Sequence, residues 1–130
     1  MSQISQKYES KEKYIQIGGE PAGRGIAIGT AKIVEGQKDL EKFSAGQALV
    51  CDSIEPEINF IVPLAVAIVE RRGGMLVHGA ISAREYGIPC VNGIPNSNTI
   101  ISNGDIVTVD GYLGVVRIER KRIKRKTRAT

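Results

Sequence analysis

Tryptophan is absent from this chain of 130 residues, and histidine occurs once, at His78. One imidazole cannot supply a histidine cluster for a metal, and Cys51 and Cys90, the only two cysteines, stand too far apart for CxxC redox or zinc chemistry. Each sits in an apolar stretch, Leu49-Val50-Cys51 and Pro89-Cys90-Val91, which suits buried thiols in a reducing compartment. Aromatic residues make up only 5%, so a core must rest on Ile, Val, Leu and Ala. Long apolar runs are missing too. Phe60 to Val69 is interrupted by Pro63 and is too short to cross a bilayer. Met1 to Lys13 is polar and lacks the apolar centre of a secretion signal, so a cytoplasmic location away from membranes is expected.

The length favours one domain, and 42% hydrophobic with 25% charged residues fits a globular chain. Its net charge of +4 is unevenly spread: residues 117–130 hold eight Lys or Arg against Glu119, leaving the rest of the chain at −3. The basic character belongs to a tail, read as a solvated terminus, and no nucleic-acid function is inferred for the body. The expected organisation is a flexible segment over 1–17, one domain over 18–118 and a basic tail over 119–130.

Within the body, Gly25 to Val34 places Ile26 and Ile28 on one alternation, a strand signal, and Gln47 to Cys51 is a second candidate. A short helix is expected after Pro56, compromised by Pro63. Ala65 to Val69 reads as a doubly covered strand. After Gly73-Gly74, residues 79–86 read as a helix closed by Gly87, with Pro89 beyond. Pro89-Cys90-Val91 is a short strand. Ile106 to Asp110 and Val115 to Ile118 form a terminal pair joined through Gly111-Tyr112-Leu113-Gly114. These elements describe an α/β domain.

His78 stands between the glycine turn and the start of that helix. A neutral imidazole nitrogen is nucleophilic near neutral pH, and helix-start amides stabilise an anion, so this placement suits a covalent phosphate carrier. Ser82, one turn on, could bond the ring but is expected to face solvent.

The stretch Gly73-Gly74, His78, Ala80-Ile81, Ala83-Arg84-Glu85, Gly87-Ile88-Pro89 and Val91 resembles, without a gap, the phosphohistidine or swivelling domain of phosphoenolpyruvate-utilising enzymes. That family includes phosphoenolpyruvate synthase, pyruvate phosphate dikinase, enzyme I of the sugar phosphotransferase system and rifamycin phosphotransferase. Gly25 to Ala31 and Gly104 to Gly111 look like its opening and closing strands, so the resemblance spans roughly residues 18 to 118. It implies a three-layer β/β/α swivelling domain with a mainly parallel central sheet. It also implies a phosphoryl acceptor at His78 (Nε2), with Arg84 as charge partner and Gly74, Gly79, Ala80 and Ile81 around the phosphate. No metal or cofactor is expected on this chain alone. ATP or phosphoenolpyruvate and Mg2+ belong to separately encoded nucleotide-binding and acceptor partners, because the chain has room for neither domain.

Two departures matter: family enzymes usually fuse this domain to the partner domains for which this chain has no room, and they usually carry Ser, Thr or Cys directly before the histidine and in many cases Thr one residue earlier, where this chain has Val77 and Leu76; Glu70 also stands where Thr is frequent. Losing one such bond to a charged group costs about 1.5–3 kcal/mol. The alternative is therefore a non-catalytic binding or regulatory module that keeps the fold without the chemistry.

Overall fold

The computed structural model describes residues 14–73 and 78–120, His78 and Gly79 by their backbone alone. Eight strands form one sheet: β1 (Tyr14–Gly18), β2 (Glu20–Gly23), β3 (Ile26–Ile33), β4 (Ala48–Cys51), β5 (Ala67–Glu70), β6 (Cys90–Asn92), β7 (Ile106–Asp110) and β8 (Val115–Glu119). Their order is β1-β8-β7-β3-β4-β5-β6-β2. Helices α1 (Gln37–Glu41), α2 (His78–Tyr86) and α3 (Ser97–Ile100), with a 3-10 helix over Ile58–Leu64, fill the connections.

The sheet is mixed, not mainly parallel when taken whole. β3, β4, β5 and β6 pair in parallel, whereas β1–β8, β8–β7, β7–β3 and β6–β2 are antiparallel. The excess comes from β1 and β2, neither of which was expected as a strand. Tyr14 to Ile17 fell within the expected flexible segment, yet Tyr14 pairs with Glu119 and Ile17 with Val116. Glu119 in turn closes β8 rather than opening a tail.

Apolar continuity explains why the parallel strands sit inside. Every residue of β4, β5 and β6 is buried, and alternate side chains enter two separate cores, as a period of two requires. Ala48, Val50, Ala67, Val69 and Val91 pack against Val107, Val109, Val116 and Ile118 of the antiparallel strands. Leu49, Cys51, Ile68 and Cys90 face the other way, onto Val62 of the 3-10 helix and Ala80 and Ala83 of α2. The sheet thus doubles back at β3, whose Ile26–Thr30 portion pairs with β7 and whose Ala31–Ile33 portion pairs with β4.

That fold-back decides which face of β3 is buried. Ile26 and Ile28 do share a face, but it is the outer one, where they are 59% and 65% exposed. Ala31 takes the inside, and a Cβ on Gly29 would come within 2.7 Å of Val66 Cγ2. Only small residues let the two halves approach here.

The expected short helix before β5 exists as the 3-10 helix with Pro63 inside it. α2 ends as its sequence indicates: Gly87 has φ +69, and the Ile88 amide reaches back to the Ala83 carbonyl at 2.9 Å, a Schellman closure.

Candidate functional site

Parallel β5 and β6 are joined through α2, so the helix must return from the C-terminal end of β5 to the N-terminal end of β6. Its first residue, His78, therefore lies above the C-terminal ends of the parallel strands, where open α/β sheets present ligand sites. The described part of the helix includes the histidine, one residue before the expected start. Gly74, Leu76 and Val77 lie outside the described residues, as does the side chain of His78.

Beneath this helix start the strand ends are polar. Glu70 closes β5 and Asn92 closes β6; both are buried and both share the parity of side chains that face α2. Glu70 Oε2 accepts the Ile54 amide at 2.8 Å, while Oε1 has no hydrogen-bond partner. Burial pushes its carboxyl above the ordinary carboxylate range. The neighbouring thiols of Cys51 and Cys90 are unbridged and fully buried, and burial drives both upward, so they act as small apolar fillers.

The chain leaving β5 is fixed by short-range contacts. Arg71 and Arg72 donate their amides to the carbonyls of Cys51 and Asp52, each at 3.0 Å. The Arg71 side chain also hydrogen-bonds the Asp52 carboxylate, holding it below its usual range, and Arg72 Nε stands 3.8 Å from Asp52 Oδ2. Gly73 passes so close to Gly93 that a Cβ would lie 3.1 Å from the Gly93 Cα. Glycine is needed there for close approach, not for an unusual torsion.

Two further side chains of α2 have definite surroundings. Ser82 does not face solvent: it is 7% exposed, and its hydroxyl donates to Asn59 Oδ1 at 2.8 Å, fastening α2 to the 3-10 helix. Arg84 sits in the last turn of α2, six residues and so about 9 Å along the axis from His78. It lines an open groove of about 690 Å³ together with Gly23, Arg24, Gly87, Gly111 and Tyr112. Sequence reading passed over Asn92, Arg24 and the burial of Glu70. For Glu70 a signal existed, a carboxylate ending an apolar strand.

Among the described residues, no group of three or more His, Cys, Asp or Glu could hold a metal ion, and no helix is long and apolar enough to cross a membrane.

These features define a mixed α/β domain that presents a glycine loop and a lone histidine at a helix start. Comparison with known proteins agrees. The family model described as the mobile domain of PEP-utilising enzymes matches residues 43–114. An uncharacterised phosphotransferase of Bacillus subtilis, YvkC, is 38% identical over 110 residues, covering 85% of this chain and 13% of that protein. A phosphoenolpyruvate synthase of Pseudomonas aeruginosa is 36% identical over 107 residues, covering 82% of this chain and 14% of the synthase. Among solved structures, an Enzyme I structure in solution superimposes with TM-score 0.54 at 26% identity, covering 64% of this chain and 34% of that one. A chain of the aconitase X of Thermococcus kodakaraensis gives TM-score 0.65 over 82% of this chain and 99% of that one; at 19% identity this shows shared fold alone.

The chain belongs to the family of mobile domains of phosphoenolpyruvate-utilising enzymes, and is thus a phosphotransfer-related domain. It spans about an eighth of the length of these two curated relatives, whose remaining length lies outside the match.

Proposed function

We propose that this domain is a phosphoryl carrier of a phosphoenolpyruvate synthase or dikinase-like phosphotransferase, with His78 as the residue that accepts and donates phosphate. The observation that carries the reading is the position of the lone histidine, at the first residue of α2 above the C-terminal ends of parallel strands. A ring nitrogen attacks phosphorus, the bond from phosphorus to the leaving oxygen of the donor breaks, and an N–P bond forms; delivery reverses these steps onto the acceptor oxygen. Phosphoryl transfer needs positioning and charge neutralisation more than elaborate covalent machinery, so a small carrier can leave both to the sites it visits.

The two cores, one on each side of β4–β6, support a three-layer β/β/α swivelling architecture. The amides of Gly79, Ala80 and Ile81 in the first turn, together with Gly74, would hold the phosphate. Arg84, with Arg24 across the groove, would meet phosphates of the donor rather than the one on the ring. ATP or phosphoenolpyruvate and Mg2+ would be bound by nucleotide-binding and acceptor domains, and the setting would be cytoplasmic.

The full chain is incubated with labelled phosphoenolpyruvate or ATP and Mg2+ in extract of its native cell, then repurified at alkaline pH. Acid-labile, alkali-stable label that is absent from His78→Ala is the expected result. Label on Ser or Thr, or no label, overturns the carrier and favours a binding module, the reading to which Val77 and Leu76 in place of hydroxyl residues point.

A further inference from the structure

Three segments far apart in sequence line the open groove of about 690 Å³: Gly23 and Arg24 at the end of β2, Arg84 and Gly87 where α2 stops, and Gly111 and Tyr112 in the turn after β7. Glycine in each segment makes much of the lining backbone rather than side chain. A Cβ on Gly23 would stand 2.4 Å from the Ile88 carbonyl oxygen and 2.9 Å from Ala83 Cβ. A surface of this kind lets a ligand come close to the main chain. Against it stand two arginines and one tyrosine, with no carboxylate among the described lining residues.

The charges on the groove have one sign. Arg24 is exposed and, among the described residues, has no carboxylate partner. Arg84 lies in the last turn of α2, where its cation offsets the negative end of the helix. Two guanidinium groups on one groove suit an anion with forked acceptors, and phosphate above all.

Tyr112 adds a second requirement. It is 60% exposed, on a turn that Asp110 fixes: Asp110 Oδ1 accepts the amides of Tyr112 and Leu113 at 2.9 and 3.0 Å. One exposed tyrosine is ordinary on a protein surface. A tyrosine on a fixed turn beside two cations is a platform for a planar group. Phosphoenolpyruvate carries a phosphate and a carboxylate but no ring, so it would use the arginines and leave Tyr112 idle. The groove's volume is within the range of ligand pockets, about 300–1,000 Å³, and has room for a base as well as phosphates.

We infer that the groove takes a nucleoside polyphosphate, its base on Tyr112 and its phosphates on Arg24 and Arg84. For the ligand's role, that of phosphoryl donor, this rests on the carrier reading, and it chooses between the two donors which that reading leaves open. The domain supplies one side of the donor's site and a nucleotide-binding partner the other, so the groove alone binds weakly. Preference for a nucleotide over phosphoenolpyruvate resides in Tyr112.

Nitrogen-15 amide spectra of the full chain are followed at fixed ionic strength during titration with ATP, inorganic tripolyphosphate, phosphoenolpyruvate or inorganic phosphate. Basic residues beyond Arg120 attract any polyanion, so the place of the shifts and their response to substitution decide, not overall affinity. ATP is expected to move the amides of Gly23, Arg24, Gly87, Gly111 and Tyr112, and phosphoenolpyruvate to move them no more than phosphate does. Tyr112→Leu should weaken ATP at these amides about fivefold or more and leave tripolyphosphate unchanged, while Tyr112→Phe keeps the ring and the binding. Arg24→Gln should weaken both polyphosphates about fivefold. Both positions are exposed, and unchanged amides elsewhere show that the variants are folded. ATP binding that Tyr112→Leu leaves intact overturns the inference, as do shifts confined to amides outside the groove. No transfer is involved: label on His78 without this binding sinks the inference alone, and this binding without label sinks the carrier alone.

Discussion

Gly111 and Gly23 meet with no room for a side chain, for a Cβ on Gly111 would stand 1.6 Å from the carbonyl oxygen of Gly23. The Gly111 amide also donates to Gly25 at 2.7 Å, so the turn after β7 is sewn to the chain between β2 and β3. This contact holds the doubled-back half of the sheet against the strands that lead to α2. Gly111→Ala forces backbone apart and is expected to cost about 3 kcal/mol, read as a lowered urea midpoint. Gly18→Ala is the control: its Cβ would meet only Gly114 O, at 3.8 Å, and the midpoint should hold.

Ser82 bonds Asn59 from a buried position on α2, which gives its hydroxyl a structural task. Replacing it by Ala loses a neutral hydrogen bond worth about 1 kcal/mol. The better helix propensity of Ala returns about 0.5 kcal/mol, so the net loss of stability is small. Ser82→Ala should therefore unfold at slightly lower urea yet take label on His78 within about twofold of the wild-type rate. A tenfold drop in labelling would place the hydroxyl at the phosphate instead.

What the sequence made legible was local. The apolar runs of β4 and β5, the β7–β8 hairpin, and α2 with its glycine stop all follow from periodicity and punctuation within a dozen residues. The strands β1 and β2 do not, because their partners are distant: Tyr14 pairs with Glu119 and Glu20 with Asn92. Ile26 and Ile28 show a subtler limit. Alternation tells which residues share a face, but only the approach of the other half of the sheet decides that the alanines, not the isoleucines, go inside. For the site, the motif located His78 and the glycines, whereas the polar floor of Glu70 and Asn92 exists only once β5 and β6 lie side by side.

Arg120 fell within the expected basic tail, but its guanidinium grips Asp105 with two nitrogens, at 3.0 and 2.9 Å, and reaches the Ile100 carbonyl at 2.7 Å. Asp105 is 5% exposed and also accepts the Ser102 amide, so removing the fork leaves a buried carboxylate short of donors. With Arg120 itself 44% exposed, solvent recovers part of the loss. Arg120→Ala is expected to cost about 1–2 kcal/mol in urea unfolding. Arg120→Lys should restore little, because an ammonium cannot fork. Equal stability of all three proteins would show the contact to be dispensable.

Glu70 makes stability depend on pH in a direction that its burial fixes. A carboxyl whose folded value lies above its ordinary 4.5 binds more protons in the native state than in the unfolded one. Its contribution is then fully present below that ordinary value and is lost as pH rises through the raised folded value. Glu70→Gln cannot ionise and so removes this dependence. Urea midpoints measured from about pH 4 to about pH 8 should fall for the wild type relative to Glu70→Gln across that window. A wild type that gains on the variant with rising pH would mean that Glu70 is more acidic when folded than when unfolded, with a positive charge compensating its burial.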